Sequence, residues 1–230
     1  MPPEKDPASA FAALKPTYAL PPPERRAAPQ SDAAVAKDNA SWQDLAYHVV
    51  MEDVVPNYRR DRTPGGSYFF TLVTHQRQPW LCRPEARAAL RHAVRQVRAS
   101  WPFRIEAWVL LPDHLHCIWT LPEGDADFST RWRLVKRHVG RVLAGARGIS
   151  GRDKQRPLWQ NRFWEHRLRD ERDFGAHCAY IHYNPVKHGL CGCPQDWPWS
   201  TIHRFIRTGL YPHGWGGAGP PAPEPETARE

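Results

Sequence analysis

The sequence predicts an α+β fold in which helices pack against an antiparallel sheet. Three features carry the prediction: short aromatic and β-branched runs bounded by turn residues, long stretches with helical apolar periodicity, and a tight Pro-Asp turn between two of the runs. Size and composition suit one such domain with extensions. The chain has 230 residues, is 41% hydrophobic and holds 11 tryptophans, enough for a packed core. No apolar run approaches the roughly 18 residues of a membrane span, and the Pro- and Ala-rich start has no continuous apolar signal core. A soluble, cytoplasmic protein is therefore expected. The five cysteines (82, 117, 178, 191 and 193) are irregularly spaced, and Cys191-Gly192-Cys193 is too tight for a zinc knuckle, so reduced, unligated thiols are expected.

Residues 1–57 form an acidic extension rich in Pro and Ala, with Pro2-Pro3, Pro21-Pro22-Pro23 and little periodicity, and are expected to be disordered. Met51 offers a second start before the basic stretch Tyr58-Arg59-Arg60. The expected folded unit is 58–215, followed by a flexible Pro- and Gly-rich tail over 216–230. Within the unit, Pro64-Gly65-Gly66 marks a turn before a strand over Ser67–Thr74. A helix follows from Pro84 to Ser100, with Ala86, Leu90, Ala93, Val94 and Val97 on one face. Arg104–Leu111 and His114–Leu121 read as strands joined in a hairpin by Pro112-Asp113. Asp127 or Ser129 caps the next helix, over 129–147, whose buried stripe is Trp132, Val135, Val139 and Leu143. After a loop over 148–156, Phe163–Leu168 is a strand, and Glu171–Asn184 is a helix ended by Pro185 and Gly189. The order β-α-β-β-α-β-α is ferredoxin-like, and no internal repeat is present.

Charge is concentrated in this unit. Residues 1–57 carry five Lys/Arg against eight Asp/Glu and residues 213–230 one against three, so of the overall +8 a surplus of +13 falls on residues 58–212. A basic domain rich in aromatic residues fits a partner with a phosphate backbone and stackable bases. Arg133, Lys136, Arg137 and Arg141 would contact phosphates, Trp159, Arg162, Phe163 and Trp164 would stack on or read unpaired bases, and Lys187 is a further expected nucleic-acid contact. Core packing is the competing role for the tryptophans, and for Trp132 it is the expected one.

The chemistry rests on two segments. Strand side chains alternate faces, so His114 and His116 point the same way and could share a metal. On the last helix, His177, Tyr180, Asn184 and Lys187 form a polar stripe beside the apolar face of Phe174, Cys178 and Ile181. Tyr180 and Asn184 lie one above the other, whereas Tyr183 is rotated by roughly 100° from Asn184. Two imidazoles and the Asn184 oxygen would make a mixed N/O site for Mg²⁺ or Mn²⁺, beside which Tyr180 could attack phosphorus, with Lys187 favouring the phenolate. Tyr183 is the competing nucleophile. His166, His177, His182 and His188 are given a structural or DNA-contact role. Ordinary strand histidines, a nucleic-acid-binding protein without cleavage, and a phosphodiesterase that uses water remain as alternatives.

The segment Leu111-Pro112-Asp113-His114-Leu115-His116-Cys117-Ile118-Trp119 is similar to the His-hydrophobic-His motif of HUH single-strand endonucleases. Ala179-Tyr180-Ile181-His182-Tyr183-Asn184-Pro185-Val186-Lys187-His188-Gly189 resembles the tyrosine helix of single-tyrosine transposases. With Trp159-Gln160-Asn161-Arg162-Phe163-Trp164-Glu165-His166 and Asp196-Trp197-Pro198-Trp199-Ser200-Thr201, the likeness narrows to the REP-associated tyrosine transposases and runs from about Tyr58 to Trp215. The resemblance implies binding of repetitive extragenic palindromes as single-stranded DNA hairpins at the bacterial nucleoid, by a monomer or homodimer. It implies cleavage through a 5′-phosphotyrosine with a free 3′-OH. It assigns His114 and His116 as metal ligands, Tyr180 as nucleophile and Asn184 as third ligand. Insertion-sequence relatives often place Gln four residues after the tyrosine, and Asn is shorter by one methylene. The acidic N-terminal arm is a second departure from the family pattern.

Overall fold

The computed structural model describes residues 60–146, 157–221 and 225–228. The predicted extension over 1–57 and the loop over 148–156 lie outside the described residues. Four strands, β1 (Ser67–Val73), β2 (Arg104–Leu110), β3 (His114–Thr120) and β4 (Trp164–Arg167), form one sheet in the order β2-β3-β1-β4. Every pairing is antiparallel, as the ferredoxin-like order requires. Leu111 N–H donates to His114 O at 2.9 Å and closes the predicted β2-β3 hairpin over Pro112-Asp113.

The two central strands are buried along nearly their whole length because both faces of the sheet are covered. Alternation then divides their side chains between two cores. Tyr68, Phe70 and Leu72 of β1 and Leu115, Cys117 and Trp119 of β3 meet the apolar stripes of α1 (Pro84–Ser100) and α2 (Phe128–Ala146). Phe69 and Ile118 face the other way and pack with Cys178, Tyr180 and Ile181 of α3 (Glu171–Lys187). The predicted stripe of α2 is confirmed, and Trp132 stacks on Trp119 with ring centroids 3.8 Å apart. Asp127 is the cap of α2, accepting from Thr130 N–H at 2.9 Å, while Ser129 instead accepts from Arg60.

Two features differ from expectation. The helix α3 runs through Pro185 to Lys187, because a proline there removes one donor while the next bond, His188 N–H to Asn184 O at 3.0 Å, still closes. It is Gly189, with φ of 66°, that ends the turn, as Leu190 N–H reaches back to Pro185 O. The second feature is the Trp-Pro-Trp segment, which covers the β2 edge of the sheet. Leu110 N–H donates to Trp199 O and Thr201 N–H to Trp108 O, both at 2.9 Å, and the Trp197 indole donates to Leu110 O at 2.9 Å. An exposed β2 edge would be a template for aggregation, and this segment occupies it before leading into α4 (Ile202–Arg207).

Candidate active site

The Pro112-Asp113 turn delivers the chain directly into β3, and alternation aims His114 and His116 at the α3 side of the sheet. Both rings are buried, at 1% and 0% exposure, with centroids 4.9 Å apart. Each is held through Nδ1: His114 by Asp113 Oδ1 at 2.6 Å, His116 by Thr71 Oγ1 at 2.9 Å from the facing position of β1. Arg77 donates to the other Asp113 oxygen at 3.0 Å. Gln76 and Arg77 have φ of 51° and 50°, left-handed values that non-glycine residues adopt only where the surroundings impose them.

Across from the histidines stands Tyr180, 5% exposed, with its ring 5.2 Å from that of His116 and 6.0 Å from that of Phe69. Lys187 Nζ lies 5.1 Å from the Tyr180 ring centre, and the His188 ring lies 5.0 Å from that of His114. Asn184, one turn after Tyr180 on α3, is fully buried. Its amide oxygen and nitrogen, and Nε2 of His116, are buried with no hydrogen-bond partner among the described residues. Burial, reinforced by His114, His188, Lys187 and Arg77, pushes His116 well below the usual imidazole range. It is therefore a neutral nitrogen donor. Tyr183 is partly exposed and faces elsewhere, since a Cβ added at Gly216 would come within 3.3 Å of its ring.

The predicted DNA-contact residues are dispersed. Arg133, Arg137 and Arg141 are exposed along α2, on the opposite side of the sheet from Tyr180. Lys136 is turned inward, donating to Gln160 O at 2.9 Å, and burial together with Arg60 pushes its amine down to about 8. Trp159, expected to stack on bases, is 6% exposed and packs edge-on against Trp80. Phe163 is half-buried against Phe70 and Trp132, and Trp164 is half-buried with its indole donating to Thr227 O at 2.8 Å. Arg162 and Lys187 are exposed. Sequence reasoning missed Asp113 and Thr71 as partners of the histidines. Asp113 was legible as a carboxylate adjacent to His114, whereas Thr71 becomes visible only through the β1-β3 register.

No family model matches the chain. A REP-associated tyrosine transposase of Escherichia coli strain K12 is 46% identical over 160 residues, which is 70% of this chain and 90% of that protein. A second relative, from Haemophilus influenzae, is 39% identical over 165 residues, 70% of this chain and 93% of its own length. A solved structure of a REP-associated tyrosine transposase bound to a REP hairpin matches with a TM-score of 0.64 at 43% identity, over 75% of this chain and 96% of that one. Because nearly the whole length of these relatives is spanned at this level of identity, the chain belongs to the REP-associated tyrosine transposase family.

Proposed function

We propose that this protein is a metal-dependent single-stranded DNA endonuclease and strand transferase that acts on REP-like hairpins, with Tyr180 as nucleophile. The observation that carries the reading is the facing of Tyr180 and His116 across 5.2 Å, beside buried polar atoms that have no partner among the described residues. Leaving such an atom unpaired costs about 1–3 kcal/mol, which a bound cation would offset. The donor set fits: His114, His116 and Asn184 would hold Mg²⁺ or Mn²⁺. When bound, the ion would withdraw charge from phosphate oxygens and favour the phenolate.

The chain's own residues perform the remaining steps. Asp113 and Thr71 hold the two imidazoles in orientation. Lys187, close to the Tyr180 ring, favours loss of the phenolic proton. Tyr180 Oη attacks phosphorus, the P–O3′ bond breaks, and the 3′ oxygen leaves and takes up a proton. The 5′ phosphate stays esterified to the tyrosine, so attack by another 3′-OH can rejoin strands. The relative solved with a REP hairpin supports hairpin DNA as the substrate. A DNA hairpin substrate would place its work at the nucleoid in the cytoplasm; no helix among the described residues is long and apolar enough to cross a membrane.

The test is a labelled single-stranded hairpin incubated with wild type, Tyr180→Phe and Tyr183→Phe, with and without Mn²⁺. A covalent adduct that needs Mn²⁺ and is lost only in Tyr180→Phe is expected. Adduct retained in Tyr180→Phe would overturn the assignment. Binding without any adduct in the wild type would make the protein a hairpin binder without cleavage.

A further inference from the structure

A second cluster of potential ligands lies on the same side of the sheet, beyond Phe69. The Phe69 ring stands between the two groups, 5.5 Å from His116 on one side and 4.8 Å from His177 on the other. We infer that His166 of β4 and Asp173 and His177 of α3 form a second metal site, for a zinc-like transition-metal dication, separate from the site at His114 and His116.

One donor atom from each residue lies within 4.8 Å of the other two. The Asp173 carboxylate sits between the rings: Oδ2 is 2.9 Å from His166 Nε2, and Oδ1 is 2.9 Å from His177 Nδ1. The two imidazoles are stacked at 5.0 Å and 21°, so their donor edges are presented together. A tetrahedral ion with bonds of about 2.0–2.2 Å needs donors roughly 3.4 Å apart. The donor atoms, within 4.8 Å of one another, would close to that spacing by side-chain rotation. Two imidazoles and one carboxylate suit Zn²⁺, Co²⁺ or Ni²⁺, whereas Ca²⁺ and Mg²⁺ prefer oxygen ligands.

The surroundings support ligation. His177 Nδ1 lies 2.9 Å from the Asp173 backbone carbonyl as well as from its carboxylate, a contact that metal binding at Nδ1 would replace, and Nε2 lies 3.1 Å from Thr227 Oγ1, which can then accept the ring N–H. Arg169 N–H donates to Asp173 Oδ2 at 3.1 Å and orients the carboxylate. The ion would tie β4 to the first turns of α3, one turn before Tyr180.

The test uses the full-length chain, stripped with chelator and titrated with Co²⁺. It is read by visible d–d absorption and by bound metal per chain, with circular dichroism as a check of folding. The double variant His114→Ala/His116→Ala is expected to keep one Co²⁺ per chain, displaceable by Zn²⁺, and to melt at higher temperature with it. Adding either His166→Gln or Asp173→Asn to that background should abolish this uptake. The inference is overturned if the double variant takes up no Co²⁺, or if a folded His166→Gln or Asp173→Asn derivative still binds it. Wild type binding a single equivalent that the double variant loses would leave the proposed metal site beside Tyr180 standing and remove this one. Wild type binding a single equivalent that the double variant retains would do the reverse.

Discussion

At the scale of residues, the two site histidines differ in what holds them. His114 leans on a carboxylate that is itself anchored by Arg77, and His116 leans on a threonine hydroxyl. Partners of this kind fix tautomer and ring orientation, and removing one typically lowers metal affinity about 10- to 100-fold. Asp113→Asn should therefore shift the Mn²⁺ concentration for half-maximal adduct formation upward by that factor, with the plateau restored at high Mn²⁺. Titrating Mn²⁺ against adduct yield checks it, and a lowered plateau that excess metal does not restore would speak against a positioning role. Lys136, partly exposed, donates to the Gln160 carbonyl at 2.9 Å and lies near the Phe163 ring, so its ammonium already has a partner within the protein.

At the scale of elements, α3 serves two neighbours. One side carries Tyr180 toward β3, and the other places His182 among Thr201, Phe205 and Tyr211. Burial first, then Arg204 and His203, bring His182 down from 6.5 to about 3. Above pH 6.5 the ring is neutral in both folded and unfolded chains and pH has no leverage through it. As pH falls from 6.5 toward 3 the unfolded chain binds a proton that the folded one refuses, so stability is lost across that window, at no more than about 1.4 kcal/mol per pH unit. Urea unfolding of wild type and His182→Gln at pH 7.5, 5.5 and 4.5 should show the gap between them changing in favour of the variant as the pH drops. The edge segment makes a second prediction. Trp197→Ala removes an indole hydrogen bond and a half-buried ring over β2, and should cost about 3 kcal/mol. Thermal melts would register the loss, and light scattering would register self-association through the uncovered strand.

At the scale of the whole molecule, the sheet separates two surfaces. The exposed arginines of α2 lie on one side and Tyr180 on the other, with β4 as the edge strand and the exposed Arg162 just before it. A hairpin held on α2 and cut at Tyr180 would have to pass a sheet edge. If Arg137 and Arg141 each hold a phosphate, replacing both by Ala should flatten the plot of log affinity against log salt by roughly 1.4–1.8, at about 0.7–0.9 per contact. Adduct formation at saturating DNA should stay unchanged. Fluorescence anisotropy at several salt concentrations is the measurement, and an unaltered slope would remove α2 from the binding surface.

Much of this architecture was legible in the chain because it is encoded over short distances. Period-two and period-3.6 patterns place β1, α1, β2, β3 and α2, put His114 and His116 on one face, and align Tyr180 with Asn184. The +13 surplus on residues 58–212 is likewise a property of composition. What the sequence did not determine depends on segments far apart meeting in one register. Which side of the sheet α3 covers decides that Tyr180 faces the histidines. The β1-β3 register decides that Thr71 meets His116, and Trp80, distant in sequence, decides that Trp159 is buried. The cluster of His166, Asp173 and His177 arises the same way, from a strand edge and a helix start brought together. Local periods carry no information about such pairings, because the free energy that selects them is released only when both partners are buried together.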